Sequence, residues 1–216
     1  MPDTRRRLPA RLRDGAALLF VRVAGRVLRP VVLRLSHRRD HRGFRILTFL
    51  PSEDGMNEAA AARITLALDL IAACDPRRFA RIRRDMPNIR VIRTGGGLFD
   101  PTDWTCVVDW TAVMWQPVAH LAETIVHEAT HARLSNRGVR PTARNLARVE
   151  RRCCAEQVDF LRRLPPECAA EAARSVAWIE QCLAAPEPWY GRRAWALRPL
   201  APATRRRVEE DRARGV

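Results

Sequence analysis

The stretch TIVHEATHARL, residues 124–134, places two histidines and a glutamate inside a largely apolar segment. We predict a helix from Pro117 to about Leu134, because proline is favoured at the first helical position and Gly138 lies just past the far end. The leucine, isoleucine and valine side chains of this helix indicate that it is central and buried. Buried imidazoles need polar partners, so the fold has to build a site around this helix.

The polar residues of this helix have the spacing H-E-x-x-H, with His127, Glu128 and His131. Positions i and i+4 share one helical face, so both imidazoles can bind the same cation. Glu128 follows the first histidine and is placed to take a proton from water activated by the metal. We therefore predict a zinc site in which His127 and His131 are ligands and Glu128 is the general base.

The third ligand can be narrowed by elimination, because no histidine follows His131. Glu150 follows His131 after 18 intervening residues, inside a helix predicted over about 142–163. A short loop would bring that helix back alongside the first one. Glu156 is the rival, but on a regular helix it points about 120° away from Glu150. We favour Glu150 as ligand, with Glu156 as a substitute ligand or a support behind the ligands.

Glu123 lies one turn before His127 and is a further candidate near the site. Its carboxylate can orient a ligand imidazole by accepting the second ring N–H. An acidic residue near a helix start is also typical of a simple favourable interaction with the helix dipole. The sequence leaves both interpretations of Glu123 open.

H-E-x-x-H followed by a glutamate on the next helix resembles the gluzincin zinc metallopeptidases, over residues 127–150. In that family two histidines and a downstream glutamate bind zinc, and the motif glutamate is the base. The resemblance implies a zincin-like α+β fold, in which a small, mainly antiparallel sheet of about three strands precedes the active-site helix and a helical part follows it. It also implies that the strand WTCVVDW, 104–110, is the edge strand beside the substrate, and that Tyr190 is a candidate to stabilise the oxyanion.

The composition and hydrophobic pattern divide the whole chain into three parts. Residues 1–43 read as a basic amphipathic segment with a polar linker, 44–190 as the metallopeptidase domain, and 191–216 as an arginine-rich tail. Within the domain, hydrophobic periodicity predicts strands and further helices. These are strands at 44–50, 88–93 and 104–110, and helices at 56–74, 76–86 and 167–184.

The N-terminal part carries two features of its own. Residues 11–35 read as an amphipathic helix with an arginine stripe, which either packs on the domain or lies on a membrane surface. His37 and His41 fall in the polar stretch 36–43, which we interpret as a loop without a metal role because no acidic partner accompanies them. No apolar run is long enough to span a membrane.

The formal net charge of +15 suggests nucleic acid or anionic membrane as partners. All 39 basic residues are arginine, which a GC-rich genome would produce without selection for a ligand. The charge is therefore weak evidence for nucleic acid, and the gluzincin resemblance implies a peptide or protein substrate. The alternative is a basic DNA- or membrane-associated protein with a structural or vestigial metal site. The six cysteines form no C-x-x-C pair, and reduced thiols favour a cytoplasmic location, with or without peripheral membrane contact.

Overall fold

The computed structural model describes residues 36–49, 55–94, 96–142 and 144–184. The chain divides into two compact units, Met1–Ser36 and His37–Val216, and the description below concerns the second. Three predictions fall outside the described residues: the amphipathic segment 11–35, the oxyanion role of Tyr190 and the tail 191–216.

The described residues form an α+β structure with five strands and six α-helices, which confirms the predicted class. Each helix predicted there is present, with ends shifted by at most a few residues. In chain order the elements are β1 (His37–His41), β2 (Phe44–Thr48), α1 (Met56–Cys74), α2 (Pro76–Asp85), β3 (Asn88–Ile92), β4 (Leu98–Asp100), β5 (Thr105–Asp109), α3 (Trp110–Trp115), α4 (Val118–Asn136), α5 (Leu146–Leu161), a 3-10 turn (Pro166–Cys168) and α6 (Ala169–Ala184).

The strands form one mixed sheet in the order β1-β2-β3-β5-β4. β2, β3 and β5 are the three predicted strands, and they run parallel to one another. β1 and β4 pair antiparallel at the two edges. The predicted small, mainly antiparallel sheet is therefore wrong, and so is the edge position of 104–110, because β5 lies between β3 and β4.

The stretch 36–43, predicted as a linker loop, instead contains β1 and a tight turn into β2. Arg42 and Gly43 have positive φ angles of 48° and 86°, which the turn requires. The two histidines of β1 pair with carboxylates of α1. His37 Nε2 lies 2.9 Å from Glu58 Oε2, and His41 Nε2 lies 2.9 Å from Asp69 Oδ1. These pairs attach β1, an edge strand without apolar side chains, to α1.

The core lies between the sheet and helices α1 and α4, which contact each other. Ile64, Leu68 and Ile71 face it from α1, as their spacing predicts. The guanidinium of Arg63, also on α1, donates hydrogen bonds to the carbonyls of Val113 and Gln116. Such a cation satisfies the free carbonyls at the end of α3 and so fixes the point where α4 begins.

A second, smaller cluster joins α5 to α6, through Cys154, Leu161, Ala172 and Ile179. Helix α5 therefore packs on two sides, against α4 and against α6. All six cysteines of the chain have free thiols. In the described part of the chain, no helix combines the length and apolar character needed to cross a membrane.

Candidate metal centre

His127 and His131 face the same side of α4 because they are one helical turn apart. Their Nε2 atoms lie 3.3 Å from each other, and His127 is only 1% exposed. Two ring nitrogens at this separation either share a hydrogen bond or, when both lone pairs are free, can bind one cation. The structure thus brings together the two histidines that the spacing had singled out.

Glu150 reaches the same point from α5. Its Oε2 lies 3.3 Å from His127 Nε2, and its Oε1 lies 3.5 Å from His131 Nε2. A tetrahedral zinc ion with bonds of about 2.0–2.1 Å separates its ligand atoms by about 3.3–3.4 Å. Each imidazole nitrogen lies at about this distance from one of the two oxygens of Glu150. The arrangement fits a metal ion in the middle of the three side chains.

A second observation supports this fit. The Oε2 atom of Glu150 is buried and makes no hydrogen bond. A buried carboxylate oxygen without a hydrogen bond is costly and rare in folded proteins. The polar neighbour of this Oε2 atom is His127 Nε2 at 3.3 Å, and a cation between Glu150 and the imidazoles would contact this oxygen directly.

The three side chains also shift one another's ionisation. Burial alone would raise the pKa of Glu150, but the imidazoles of His127 and His131 outweigh it and lower the pKa to about 2. Burial lowers the pKa of His131, whereas Glu150 and Glu128 raise it, and the net shift is upwards. Glu150 is therefore ionised at neutral pH, as a carboxylate ligand must be.

Cys153, which the sequence analysis did not single out, lies one turn after Glu150 on the same face of α5. Its sulfur and one nitrogen of each of His127 and His131 lie within 4.8 Å of one another, so these three residues could hold a metal ion. Burial, and then the carboxylates of Glu150 and Glu128, raise the pKa of the Cys153 thiol. Glu150 and Cys153 thus both border the two imidazoles.

Gln157, also missed from the sequence, supports the first histidine. Its Oε1 lies 3.0 Å from His127 Nδ1, and both side chains are buried. If Nδ1–H donates to this oxygen, the lone pair of Nε2 points toward Glu150 and His131. The sequence could have indicated Gln157, because it lies two turns after Glu150 and therefore on the same helical face.

Glu123 is fully buried, and its contacts tie α4 to α6. Its Oε1 lies 2.7 Å from His120 Nδ1 and accepts a hydrogen bond of 3.2 Å from Ser175 Oγ. The predicted orienting position, at the second nitrogen of His127, is occupied by Gln157 instead.

Glu156 lies among arginines, away from the two histidines. Its carboxylate pairs with Arg152 at 2.8 Å, with Arg78 at 3.2 Å and with Arg133 at 3.7 Å. The side chain of Arg78 is only 5% exposed. It also pairs with Asp75, which precedes α2, and with Asp159 on α5. Glu156 therefore belongs to an ion-pair cluster between α2, α4 and α5.

Glu128 points from α4 toward the edge of the sheet. The backbone N–H of Phe99 in β4 donates a hydrogen bond to its carboxylate, which is only 2% exposed. A Cβ atom on Gly97 would lie 3.1 Å from Glu128 Oε1 and 2.9 Å from the Cγ2 of Thr124, so only glycine leaves room here. Burial raises the pKa of Glu128, although His127 and His131 oppose this shift.

The chain has no significant match among protein-family models, curated proteins or solved structures. The interpretation of the centre therefore rests on the residues described above.

Proposed function

We propose that this chain is a zinc-dependent metallopeptidase of gluzincin type, which hydrolyses peptide bonds. The observation that carries the proposal is the meeting of Glu150 with His127 and His131, at 3.3 and 3.5 Å, beside the buried carboxylate of Glu128. Two imidazoles and one carboxylate are the ligand set of a well-known class of catalytic zinc sites.

In this proposal His127, His131 and Glu150 hold the ion. When bound, zinc supplies a Lewis acid that makes water nucleophilic near neutral pH and polarises a carbonyl group. Gln157 keeps the ring of His127 in the tautomer that leaves Nε2 free to bind.

Glu128 is the proton carrier. Its carboxylate accepts a proton from the attacking water and then passes it to the nitrogen of the leaving amine. A pKa raised by burial brings the group closer to neutral pH, where a general base works best. The hydrogen bond from the Phe99 backbone holds the carboxylate in place between these two transfers.

The position of edge strand β4 is evidence in favour of a peptide substrate. β4 pairs with β5, lies at the end of the sheet and contacts α4, the helix that carries His127, Glu128 and His131. An extended peptide can add to such an edge through backbone hydrogen bonds. Leu98 on β4 is 44% exposed, which offers that peptide an apolar contact.

The test is a comparison of metal content and hydrolysis in the wild type, Glu128→Gln and Glu180→Gln. Glu180 lies exposed on α6 and serves as the matched control. We expect elemental analysis to find about one zinc ion per chain in all three proteins. We expect cleavage of an unfolded protein substrate in the wild type and the control, and its loss in Glu128→Gln. Full activity of Glu128→Gln, or a wild type without metal, contradicts the proposal.

A further inference from the structure

The proposed function leaves one buried nucleophilic side chain beside the centre without a role. Cys153 has no exposed surface, and its sulfur lies within 4.8 Å of ring nitrogens of His127 and His131. Glu150 precedes it by one helical turn, so carboxylate and thiol leave α5 on the same face. Both side chains are therefore directed toward the two imidazoles.

A second observation at the same place also points to a cation. The buried Oε2 of Glu150 has no hydrogen bond, although it faces the ring nitrogens. The adjacent cysteine behaves differently: Cys154 packs in the cluster between α5 and α6 and is not part of the metal-binding group. The two consecutive cysteines of α5 thus lie in different surroundings: Cys153 faces the imidazoles, and Cys154 packs against α6.

We propose that Cys153 is a fourth metal-binding side chain, which completes a centre formed by His127, His131 and Glu150. This inference rests on the proposed function, because it concerns the same ion. On binding, the S–H bond breaks, its proton goes to solvent, and the sulfur lone pair forms the bond to the ion. No oxidant or reductant takes part, and thiolate is a preferred ligand of zinc and cobalt.

Four protein ligands are typical of closed zinc sites, whereas catalytic sites keep one position open. Cys153 therefore competes with water for the fourth position and slows hydrolysis while it is bound. The centre alternates between a closed form with sulfur bound and an open form with water bound. Removing the sulfur leaves only the open form, so Cys153→Ala should hydrolyse peptides several-fold faster than the wild type.

The test uses Co²⁺ alone, added to metal-free full-length protein, with absorption as the readout. A thiolate bound to Co²⁺ gives a charge-transfer band in the near ultraviolet, and a four-coordinate ion gives strong visible bands. We expect both in the wild type and in Cys154→Ala, the matched control. Cys153→Ala and Cys153→Ser should lose the ultraviolet band and keep the visible bands, with circular dichroism showing that both variants are folded.

The outcomes separate this inference from the proposed function. Two results would overturn the role of Cys153 and leave the peptidase proposal standing. In the first, the wild type binds Co²⁺ without showing the ultraviolet band; in the second, the band survives in Cys153→Ala. Failure of the wild type to bind Co²⁺ overturns both. Loss of all binding in folded Cys153→Ala, with binding kept in Cys154→Ala, supports the ligand role. Glu128→Gln should keep both bands and lose only hydrolysis.

Discussion

The Nδ1 atom of His127 lies 3.0 Å from the Oε1 atom of Gln157, thirty residues further along the chain. This contact links the first histidine of α4 to the helix that also carries Glu150. It orients the imidazole ring and determines which nitrogen faces the proposed ion. The amide of Gln157 is therefore part of the centre although it does not touch the ion.

Replacing Gln157 with leucine removes this orienting contact and leaves the shape of the side chain similar. We expect zinc affinity to fall about 10–100-fold, the usual effect of losing a partner behind a metal-binding histidine. Competition with a chromophoric chelator measures the change. Gln157→Glu, which keeps an acceptor for the ring N–H, is the control and should retain most of the affinity. Equal affinities for the leucine variant and the wild type would show that the contact has no role in binding.

The two glutamates of α5 should differ sharply when each is replaced by alanine. Glu150 borders the imidazoles, whereas Glu156 pairs with arginines. Glu150→Ala should therefore retain much less zinc on purification than the wild type, because only His127, His131 and Cys153 remain to hold it. Glu156→Ala should retain its zinc while losing some stability. Elemental analysis of the purified variants decides the assignment. Retention of zinc by Glu150→Ala would transfer the third-ligand role to another side chain.

Gly97→Ala tests the close approach of the sheet edge to Glu128. The added methyl group would lie 2.9 Å from Thr124 Cγ2 and 3.1 Å from Glu128 Oε1, so these side chains would have to move. We expect hydrolysis to fall about tenfold while zinc stays bound, because even a shift of a few tenths of an ångström moves the base out of line with the proton that it transfers. Adding Thr124→Ser removes one of the two clashes and should restore part of the activity. If Gly97→Ala hydrolysed peptides as fast as the wild type, the added methyl group would not displace Glu128.

Arg78 tests the ion-pair cluster that holds α2 against α5. Its guanidinium is buried and pairs with Asp75, Glu156 and Asp159. Arg78→Met leaves these carboxylates without their shared cation, and we expect the free energy of unfolding to fall by about 3 kcal/mol. Arg77→Met, at an exposed position on the same helix, should change it little. Urea unfolding measures both, and equal effects would contradict the assigned role.

Much of the fold could be predicted because its helices carry strong periodic patterns. The helix at 56–74 was predicted with the bounds that it has in the structure, since Ile64, Leu68 and Ile71 mark one face. β1 was missed because its sequence, HRRDH, contains no apolar residue. It becomes a strand through pairing with β2 and through its contacts with α1, and neither is visible in local sequence.

Strand direction was the larger error. The mainly antiparallel sheet was what the resemblance to gluzincins implied, and the connection between β3 and β5, which contains no helix, did not argue against it. In the structure β4 comes before β5 in the chain but lies at the edge of the sheet, and β5 lies between β4 and β3. Residue patterns report which segments are strands, but they do not report the order in which the strands lie.

The site shows the same division. The spacing of the motif marked His127, Glu128 and His131, and the lack of later histidines pointed to Glu150. Gln157 and Cys153 depend on how α5 rotates when it packs on α4, which sequence spacing alone does not determine. Both nevertheless lie one or two turns from Glu150, so the helical face of one candidate ligand is a useful guide to others.

The candidate ligands all lie on α4 and α5, which follow each other directly in the chain, whereas Glu128 is directed toward Gly97 and β4. The proposed ion would thus be held by α4 and α5 alone, whereas the position of the proposed base, although it also lies on α4, depends in addition on the sheet edge. Under the proposed function, we expect substitutions at the sheet edge to abolish hydrolysis while α4 and α5 still bind the ion. Metal binding and hydrolysis would then be separable properties of this chain.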